Sequence, residues 1–378
     1  MSINLMFPNE SGVMQQKAAQ PPYVTIIVAL YKKEQPDKKT ALLLAGKAIG
    51  KAGDFLHNMH PQQAASLLAS LQALLDSFTR DYDPTVEGIG LYVSPGYSKL
   101  VKFPFPVQEK VHIGDAFAIR ELLYLEHYAI GYFVLQVNEK TVQCYKGRLN
   151  TLQEIKDGIF PRHFYDNYEY SRPAKVSSYG GQAGVKGFER DKSITMANRL
   201  KSFYRETDRL LTNYLGELPL VIAGPKKDIS LLQEVSRHQK NIIATVSGNY
   251  ANGTIKALEE RAWPAVKSWI NEKDHSVMLQ LIREERQQHA VNGIRNVWAA
   301  LKDGRGRQVI VEKDYTCPAF LNNKTGKLYL KAPRTAHQII MDAVDEVLRL
   351  AVEKGSDVLF VKNGVLQDHE HIALITRY

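Results

Sequence analysis

Cysteine is scarce in this sequence, and long hydrophobic runs are absent from it. The 378 residues include two cysteines, Cys144 and Cys317, which lie too far apart in sequence to suggest a disulfide framework or a cysteine-type zinc site. The longest apolar run, Tyr23 to Tyr31, is well short of the roughly 20 residues that span a bilayer. The start of the chain lacks the basic residues and apolar stretch of a signal peptide. We therefore expect a cytoplasmic protein with no membrane partner.

Composition and charge limit the function classes further. Apolar residues make up 44% of the chain and charged residues 24%, which is typical of globular proteins rather than disordered ones. The length suggests two or three domains, at roughly 100–200 residues each. The net charge of +9 favours a polyanionic partner such as nucleic acid, although charge alone is a weak indication.

Apolar periodicity predicts an N-terminal α/β domain over residues 1–125. A buried strand is predicted at residues 22–31, followed by helices at 41–56 and 61–79. Short apolar runs between Gly88 and Ile113 are interrupted by Pro and Gly, which indicates strands and turns.

A central domain is predicted over residues 126–252. It begins with a hairpin at 128–137 and 141–147, continues through a polar stretch to Arg190, and then shows a helical pattern from Asp191 to Leu215. Further strands are predicted at 219–223 and 241–246, with a helix at 227–238 between them. This alternation indicates a partly parallel sheet.

The remaining residues, 253–378, are predicted to form a C-terminal α/β/α domain. Amphipathic helices are expected at 262–270, 276–302 and 335–354. Strands are expected at 307–312, 326–331, 357–362 and 371–377.

The polar stretch of the central domain contains a glycine-rich segment. Its sequence from Ser177 to Gly187 is SSYGGQAGVKG, in which four of eleven residues are glycine. Glycine permits positive φ angles and a close approach of the backbone to a ligand. Long polar loops inside compact domains are often functional. Because such a loop is entropically costly to order, we expect it to order on binding.

Basic residues are concentrated in and after this loop. Between Arg172 and Arg209 there are nine basic and four acidic residues, an excess of five that is over half of the net charge. Lys201, Arg205 and Arg209 recur every four residues and therefore share one helical face. A basic helix after a glycine-rich loop suits a phosphate backbone, whereas the alternative is an ordinary solvated helix. The predicted RNA-binding residues are Arg172, Lys175, Tyr179, Lys186, Arg190, Lys192, Arg199, Lys201, Arg205 and Arg209.

The tripeptide Gly180-Gly181-Gln182 in this setting resembles a known family. A polar loop with this tripeptide, followed at once by a basic helix in the middle of a three-part chain, is similar to the central domain of the archaeal and eukaryotic peptide-chain release factors and of Pelota. The runs at 90–123 and 357–378 look like those of bacterial relatives of these factors. The resemblance implies a central RNase H-like domain carrying the loop. It also implies a C-terminal domain like that of kink-turn-binding ribosomal proteins.

The resemblance implies a catalytic role for Gly180, Gly181 and Gln182. In the family, this loop enters the peptidyl-transferase centre and promotes hydrolysis of the ester that joins peptide to tRNA. Two glycines allow a backbone shape that bulkier residues forbid, and the backbone N–H of Gln182 can stabilise charge that develops on oxygen. This chemistry needs no metal or cofactor.

The sequence departs from the family pattern at the flanks of the tripeptide. Tyr179 stands where the family usually has a basic residue, and Ala183 and Gly184 form a smaller pair than usual. The first domain has no Asn-Ile-Lys-Ser element, so codon-specific termination is disfavoured. Two functions remain open: codon-independent rescue of stalled ribosomes by ester hydrolysis, and non-catalytic occupation of the A site in hibernation. Whether the protein is an enzyme is therefore open too.

The partners implied by the resemblance are the ribosome, through its rRNA and peptidyl-tRNA, and a translational GTPase such as EF-Tu. The family also suggests a monomer. A third alternative is a nuclease, since nucleases with RNase H-like folds use clustered carboxylates to hold metal. The acidic residues considered for that role are Glu154, Asp157, Asp166, Glu169, Asp228 and Glu234.

Other candidate sites are weaker. Asp54, His57 and His60 could supply metal ligands near a helix end, and residues 368–371 (DHEH) form a dense run of ligand types. In each case an ordinary polar terminus or loop is favoured. The tryptophans Trp263, Trp269 and Trp298 are predicted to lie in cores. Tyrosines near Tyr179 could instead stack on RNA bases.

Overall fold

A computed structural model gives the fold of the chain. It describes residues 20–30, 37–84, 86–164, 183–250, 253–272, 274–322 and 324–378; the side chains of residues 183–195 and 271 lie outside this description. The chain forms two compact units. The first comprises Met1–Tyr128 with Asp274–Tyr378, and the second comprises Ala129–Lys273.

Helices and strands alternate along much of the chain. The helices are α1 (Lys38–Met59), α2 (Pro61–Arg80), α3 (Arg120–Tyr128), α4 (Ala183–Leu215), α5 (Lys226–Val235), α6 (Ile255–Glu272), α7 (Asp274–Arg286), α8 (Ile294–Lys302) and α9 (Ala343–Glu353). The strands are β1 (Tyr23–Ala29), β2 (Gly88–Ser94), β3 (Tyr97–Phe103), β4 (Lys110–Gly114), β5 (Gly131–Val137), β6 (Thr141–Arg148), β7 (Thr151–Glu154), β8 (Arg162–His163), β9 (Leu220–Gly224), β10 (Ile242–Ser247), β11 (Ala290–Asn292), β12 (Gly306–Glu312), β13 (Ala319–Asn322), β14 (Leu328–Tyr329), β15 (His337–Ile340), β16 (Asp357–Val361) and β17 (Ile372–Thr376). No described helix is both long enough and apolar enough to cross a membrane.

In the first unit, α1 and α2 cover an antiparallel sheet of order β3-β2-β1-β4. Every residue of β1 is buried, as its apolar sequence predicts. α1 buries a stripe that includes Ala45, Ile49 and Leu56, and the spacing of three or four residues places them on one helical face. Both predicted helices are present, and Asp37 caps the first through a bond from the Thr40 backbone N–H (2.9 Å).

The same unit contains a second sheet of order β11-β17-β12-β16, with β12 parallel to β16. α7 packs on one face, where Leu281 joins Ile310 and Ala373 in a buried cluster. α8 lies on the other face, because Leu301 and Leu374 approach each other around Gly306. A smaller sheet of order β14-β13-β15 is formed by the residues between β12 and α9.

Two of the predicted helices were wrong in extent. The helix expected at 276–302 is divided into α7 and α8 by β11, because Gly293 adopts φ +80° and β11 pairs with β17. The helix expected at 335–354 begins only at Ala343, since β15 pairs with β13. Its true start is capped by Asp342, which accepts a bond from the Val344 backbone N–H (3.2 Å).

A buried ionic cluster joins α3 to α9 in the first unit. Arg120 lies 2.5 Å from Asp342, and Lys110 lies 2.5 Å from Asp345. Asp345 also accepts a bond from the Arg120 backbone N–H at the start of α3 (3.0 Å). Glu121 lies 3.7 Å from Lys110, and its Oε2 has no hydrogen-bond partner among the described residues.

The pKa values of two acids in this cluster are shifted in opposite directions. Burial by itself would raise the pKa of Asp345, but Lys110 and Arg120 hold that pKa below its usual value. Burial raises the pKa of Glu121 despite the opposing effect of Lys110. Two cations thus face three acids, and burial favours the neutral form of Glu121.

In the second unit, helices cover both faces of a mixed sheet of order β10-β9-β5-β6-β7, in which β8 also pairs with β6. β5, β9 and β10 are parallel, whereas β5 and β6 form the predicted antiparallel hairpin. α4 and α5 pack on the face that carries Phe133 and Leu135. On the other face, Trp263 of α6 stacks on Tyr132, with ring centroids 6.3 Å apart. The mixed α/β architecture is confirmed, while the RNase H-like assignment stays a prediction.

Candidate nucleic-acid interface

The predicted site residues fall into three groups. Gly180, Gly181 and Gln182, together with Arg172, Lys175 and Tyr179, lie outside the described residues. Lys186, Arg190 and Lys192 belong to α4, but their side chains are also outside the description. The four that remain, Arg199, Lys201, Arg205 and Arg209, are described with their side chains.

α4 begins at Ala183, the residue that follows Gln182. The sequence had predicted a start at Asp191, which was wrong by two turns. Gly184 and Gly187 lower the helix propensity of this first part, so the pattern favoured a loop. The helix therefore carries the basic segment directly from the end of the tripeptide.

Apolar burial holds α4 against the sheet of the second unit. Leu200, Phe203, Leu211 and Leu215 are all buried in one cluster with β5 and β9 residues such as Leu135. Their spacings of three, four and eight residues form one face. Thr207 is buried on this face as well.

Two buried polar residues of α4 were missed by the sequence analysis. Asp208 accepts bonds from Ser236 Oγ (2.5 Å) and the Arg237 backbone N–H (2.8 Å), and its Oδ1 lies 3.0 Å from His238 Nδ1. The Tyr204 hydroxyl lies 3.0 Å from Asp228 Oδ1. Hydrogen bonds of this kind fix the rotation of a helix as well as its position.

Asp228 is the buried partner of this helix on α5. Burial raises the pKa of Asp228, and the hydrogen bond from Tyr204 opposes that rise. The spacing pattern could not have indicated these contacts, because their partners lie about thirty residues away along the chain.

The outer face of α4 carries positive charge without internal partners. Arg205 and Arg209 are exposed, one turn apart, and neither makes an ion pair within the described part of the chain. Lys201 differs, since it lies 2.6 Å from Glu234 of α5. Arg199 is half-buried.

The two acidic residues of α4 with described side chains do not cancel this charge. Asp208 is buried with the partners named above, and Glu206 lies 2.9 Å from Arg162. The Arg162 guanidinium in turn lies 5.5 Å from the centre of the Phe203 ring, a cation–π distance. The exposed surface therefore presents Arg205 and Arg209 to solvent, which suits a phosphate backbone.

The described residues offer no carboxylate cluster for a nuclease. No group of three or more His, Cys, Asp or Glu in this part of the chain could hold a metal ion. Glu154 pairs with Lys156 (3.0 Å) and Asp157 accepts a bond from the Tyr214 hydroxyl (2.6 Å). Asp228 and Glu234 have the partners given above, while Asp166 and Glu169 lie outside the described residues.

The other candidate sites have structural partners. His57 Nδ1 lies 2.8 Å from the Gly53 carbonyl on its own helix. His371 Nδ1 lies 2.8 Å from Glu312 Oε2, and His369 lies 3.2 Å from Glu285. Trp298 is buried, as predicted.

One protein family is similar to part of the chain. Residues 131–305 match the model of bacterial archaeo-eukaryotic release factor family 3. The match starts at the first residue of β5, contains the whole of α4 and continues past α8. The matched residues make up a little under half of the chain, and no curated protein matches it.

Solved structures from the same group are similar over most of the chain. An archaeal translation termination factor is 13% identical and covers 95% of this chain and 94% of its own, with a TM-score of 0.24. Pelota of Archaeoglobus fulgidus is 14% identical over 77% of this chain and 79% of its own, with a TM-score of 0.38. Dom34 of S. cerevisiae, a translation termination-like factor, is 12% identical over 77% and 79%, with a TM-score of 0.37. These low TM-scores carry no argument, and the similarity to a family rests on the match at residues 131–305.

Proposed function

We propose that this protein binds the ribosomal A site and promotes codon-independent hydrolysis of peptidyl-tRNA on stalled ribosomes. The observation that carries the proposal is the start of α4 at Ala183, the residue that follows Gly180-Gly181-Gln182 in the sequence. That helix is anchored on its inner face and presents Arg205 and Arg209 on its outer face. The match of residues 131–305 to a release-factor family supports the same function.

The anchoring of α4 suits the delivery of a short catalytic segment. Its apolar face and the Asp208 and Tyr204 hydrogen bonds hold the helix in one orientation on the sheet. Contacts of Arg205 and Arg209 with RNA phosphates would then orient the segment that precedes Ala183. Phosphate contacts of this type position a protein without reading sequence, which fits a codon-independent factor.

The proposed chemistry needs few groups from the protein. The backbone N–H of Gln182 stabilises the oxyanion that forms when water attacks the ester, and its side chain positions the water. Gly180 and Gly181 permit the backbone shape and the close approach to RNA. The ribosome and the tRNA supply the remaining surroundings.

A non-catalytic role in hibernation is the second candidate. It is favoured by the replacement of flanking residues, namely Tyr179, Ala183 and Gly184, in a segment that otherwise keeps the tripeptide. In this role, the same helix would hold the protein in the A site and the tripeptide would catalyse nothing. Release of labelled peptide from stalled ribosomes distinguishes the two roles.

Delivery by a translational GTPase such as EF-Tu is part of the proposal. The yeast relative Dom34 is described as interacting with Hbs1. We propose that this chain acts as a monomer with a GTPase of that general class. Co-sedimentation with ribosomes, with and without the GTPase, tests the dependence.

We expect Arg205→Gln combined with Arg209→Gln to weaken ribosome binding in a salt-dependent manner. Each lost phosphate contact lowers the slope of log K against log salt by about 0.7–0.9, so the pair should lower it by about 1.4–1.8. Fold stability should change by less than about 0.5 kcal/mol, because both side chains are exposed. Co-sedimentation at several salt concentrations measures the slope.

The matched control for this pair lies on α6. Lys256 and Arg261 are exposed helical cations without ion pairs in the described part of the chain, and α6 packs on the opposite face of the same sheet. Lys256→Gln with Arg261→Gln removes the same charge from the same unit. Equal losses in both pairs would show that net charge, rather than the outer face of α4, governs binding.

A further inference from the structure

The small sheet formed by β14, β13 and β15 presents an apolar and aromatic row on one face. Phe320 of β13 pairs with Tyr329 of β14 and with Ile339 of β15. Directly paired residues point to the same side of a sheet, so these three side chains form a row across all three strands. Ile339 is 64% exposed, and the His337 ring adds an edge contact to Phe320, with centroids 5.2 Å apart.

The other side of the small sheet is occupied. Ala319 and Leu328, which alternate with the aromatic row, are both buried. Trp298 Nε1 of α8 donates a hydrogen bond to the Gly326 carbonyl in the turn between β13 and β14 (2.9 Å). The aromatic row is therefore the outward face of an element that is fixed to the first unit.

The loops of the small sheet are ordered by Asn322. Its Oδ1 accepts bonds from the backbone N–H groups of Lys324 and Thr325, both at 2.9 Å. Its Nδ2 donates to Thr335 Oγ1 (2.7 Å). One side chain thus joins the turn after β13 to the segment before β15.

The charged residues of the small sheet and its loops are all basic. From Ala319 to Met341 the chain contains no Asp or Glu. Its basic residues are Lys324, Lys327, Lys331 and Arg334. All four are exposed, and none makes an ion pair within the described part of the chain. An aromatic row on an element whose charged residues are all basic has the two features by which proteins bind single-stranded nucleic acid.

We propose that the outward face of this small sheet binds single-stranded RNA. Phe320 and Tyr329 provide surfaces on which bases stack, and the four basic side chains bind the phosphates. Acidic peptides would satisfy the cations but would leave the aromatic row without a matching partner. The site lies in the first unit, whereas α4 lies in the second, so the inference does not rest on the function proposed above.

Binding of a fluorescein-labelled twelve-nucleotide oligouridylate to the full chain tests this inference by anisotropy. Phe320→Leu with Tyr329→Leu keeps the apolar bulk and removes both rings. We expect this variant to bind at least tenfold more weakly, because each base stacked on an aromatic ring raises the affinity by roughly tenfold. Thermal unfolding of the same sample checks that it is folded.

A second variant tests the charges without touching the sheet. Lys324→Gln with Lys331→Gln changes exposed side chains only, and it should lower the salt slope by about 1.4 for a single strand. Lys47→Gln with Lys51→Gln, on the exposed face of α1 in the same unit, is the matched control and should bind as the wild type does.

Cross-linking locates the contact independently. RNA that carries 4-thiouridine should cross-link, on irradiation, to peptides within residues 319–341. If both sheet variants bind normally while Arg205→Gln with Arg209→Gln loses binding, the RNA site is on α4 and the inference is overturned. If the sheet variants lose binding to polyglutamate as much as to RNA, the surface serves an acidic partner and the RNA assignment is overturned.

Discussion

Gly181→Ala is expected to reduce peptide release by about 10²–10³-fold while leaving ribosome binding unchanged. The methyl group restricts the backbone conformation and keeps the segment from a close approach to RNA. It would thereby displace the Gln182 N–H from the oxyanion, and loss of one such donor costs about 10²–10³ in rate. The measurement is release of labelled peptide from stalled bacterial ribosomes with an empty A site, with co-sedimentation in the same samples.

A glycine of α1 supplies the control for this substitution. A Cβ at Gly50 meets nothing within 4 Å, and Gly50 lies on the exposed side of its helix. Gly50→Ala should therefore release peptide at the wild-type rate. It adds the same methyl group to the same chain without touching the tripeptide.

The pattern of results separates the two proposed functions. Release by the wild type and by Gly50→Ala, with binding but no release by Gly181→Ala, supports rescue. Binding by all three proteins with release by none would support hibernation and contradict catalysis. Absence of binding even with the delivering GTPase would contradict the ribosomal function in both forms.

The sequence predicted those parts of the fold that depend on local periodicity. The run from Tyr23 to Tyr31 indicated β1 because a buried strand needs apolar residues on both faces. The predicted stripe through Leu68, Leu71 and Leu75 indicated α2 because one helical face is buried. The residues that the helix buries are Ala64, Leu67, Leu71, Leu75 and Phe78. In both cases the signal lies within a few consecutive residues.

Elements that depend on distant partners were not predictable in the same way. The helical pattern from Ser276 to Lys302 gave no sign of β11, whose three residues become a strand because β17 pairs with them. Of the small sheet, the sequence predicted only β14, within the strand expected at 326–331. It missed β13, and β15 reads as the start of a helix until β13 is placed beside it. Tertiary pairing overrides local propensity at such positions.

In the candidate site, too, only features that depend on local sequence could be predicted. The exposed cations Arg205 and Arg209 were predicted from a four-residue spacing that is visible in sequence. The ion pair between Lys201 and Glu234 and the burial of Asp208 were not predictable. Both depend on α5 and the turn after it. Spacing indicates which residues share a face, but partners on another element decide which charges remain available.

The second prediction with a large expected effect concerns stability. It involves the buried ionic cluster that joins α3 to α9. Asp345→Asn removes the carboxylate that accepts from Lys110 and from the Arg120 backbone N–H. We expect a loss of about 3 kcal/mol in the stability of this region, because breaking a buried ion pair leaves an uncompensated charge. Hydrogen exchange of peptides that cover α3 and α9 measures the loss locally.

Glu121→Gln in the same cluster is the matched contrast. It removes an acid whose pKa burial has raised and whose Oε2 lacks a partner among the described residues. At pH 7, the amide avoids the cost of a buried carboxylate, so this variant should be as stable as the wild type or more stable. Equal destabilisation by both substitutions would contradict the raised pKa of Glu121.

The pH dependence of the two variants should have opposite signs. The pKa of Asp345 is lowered in the folded state, so its contribution is present above its unfolded pKa of about 3.9 and is lost as the pH falls through the folded value. The pKa of Glu121 is raised, so the folded state holds the proton more tightly than the unfolded state does, and stability falls as the pH rises above about 4.3. Between pH 4 and pH 7, Glu121→Gln should therefore gain stability relative to the wild type as the pH rises. Over the same range Asp345→Asn should remain less stable than the wild type, and the gap between these two proteins should close only in stronger acid.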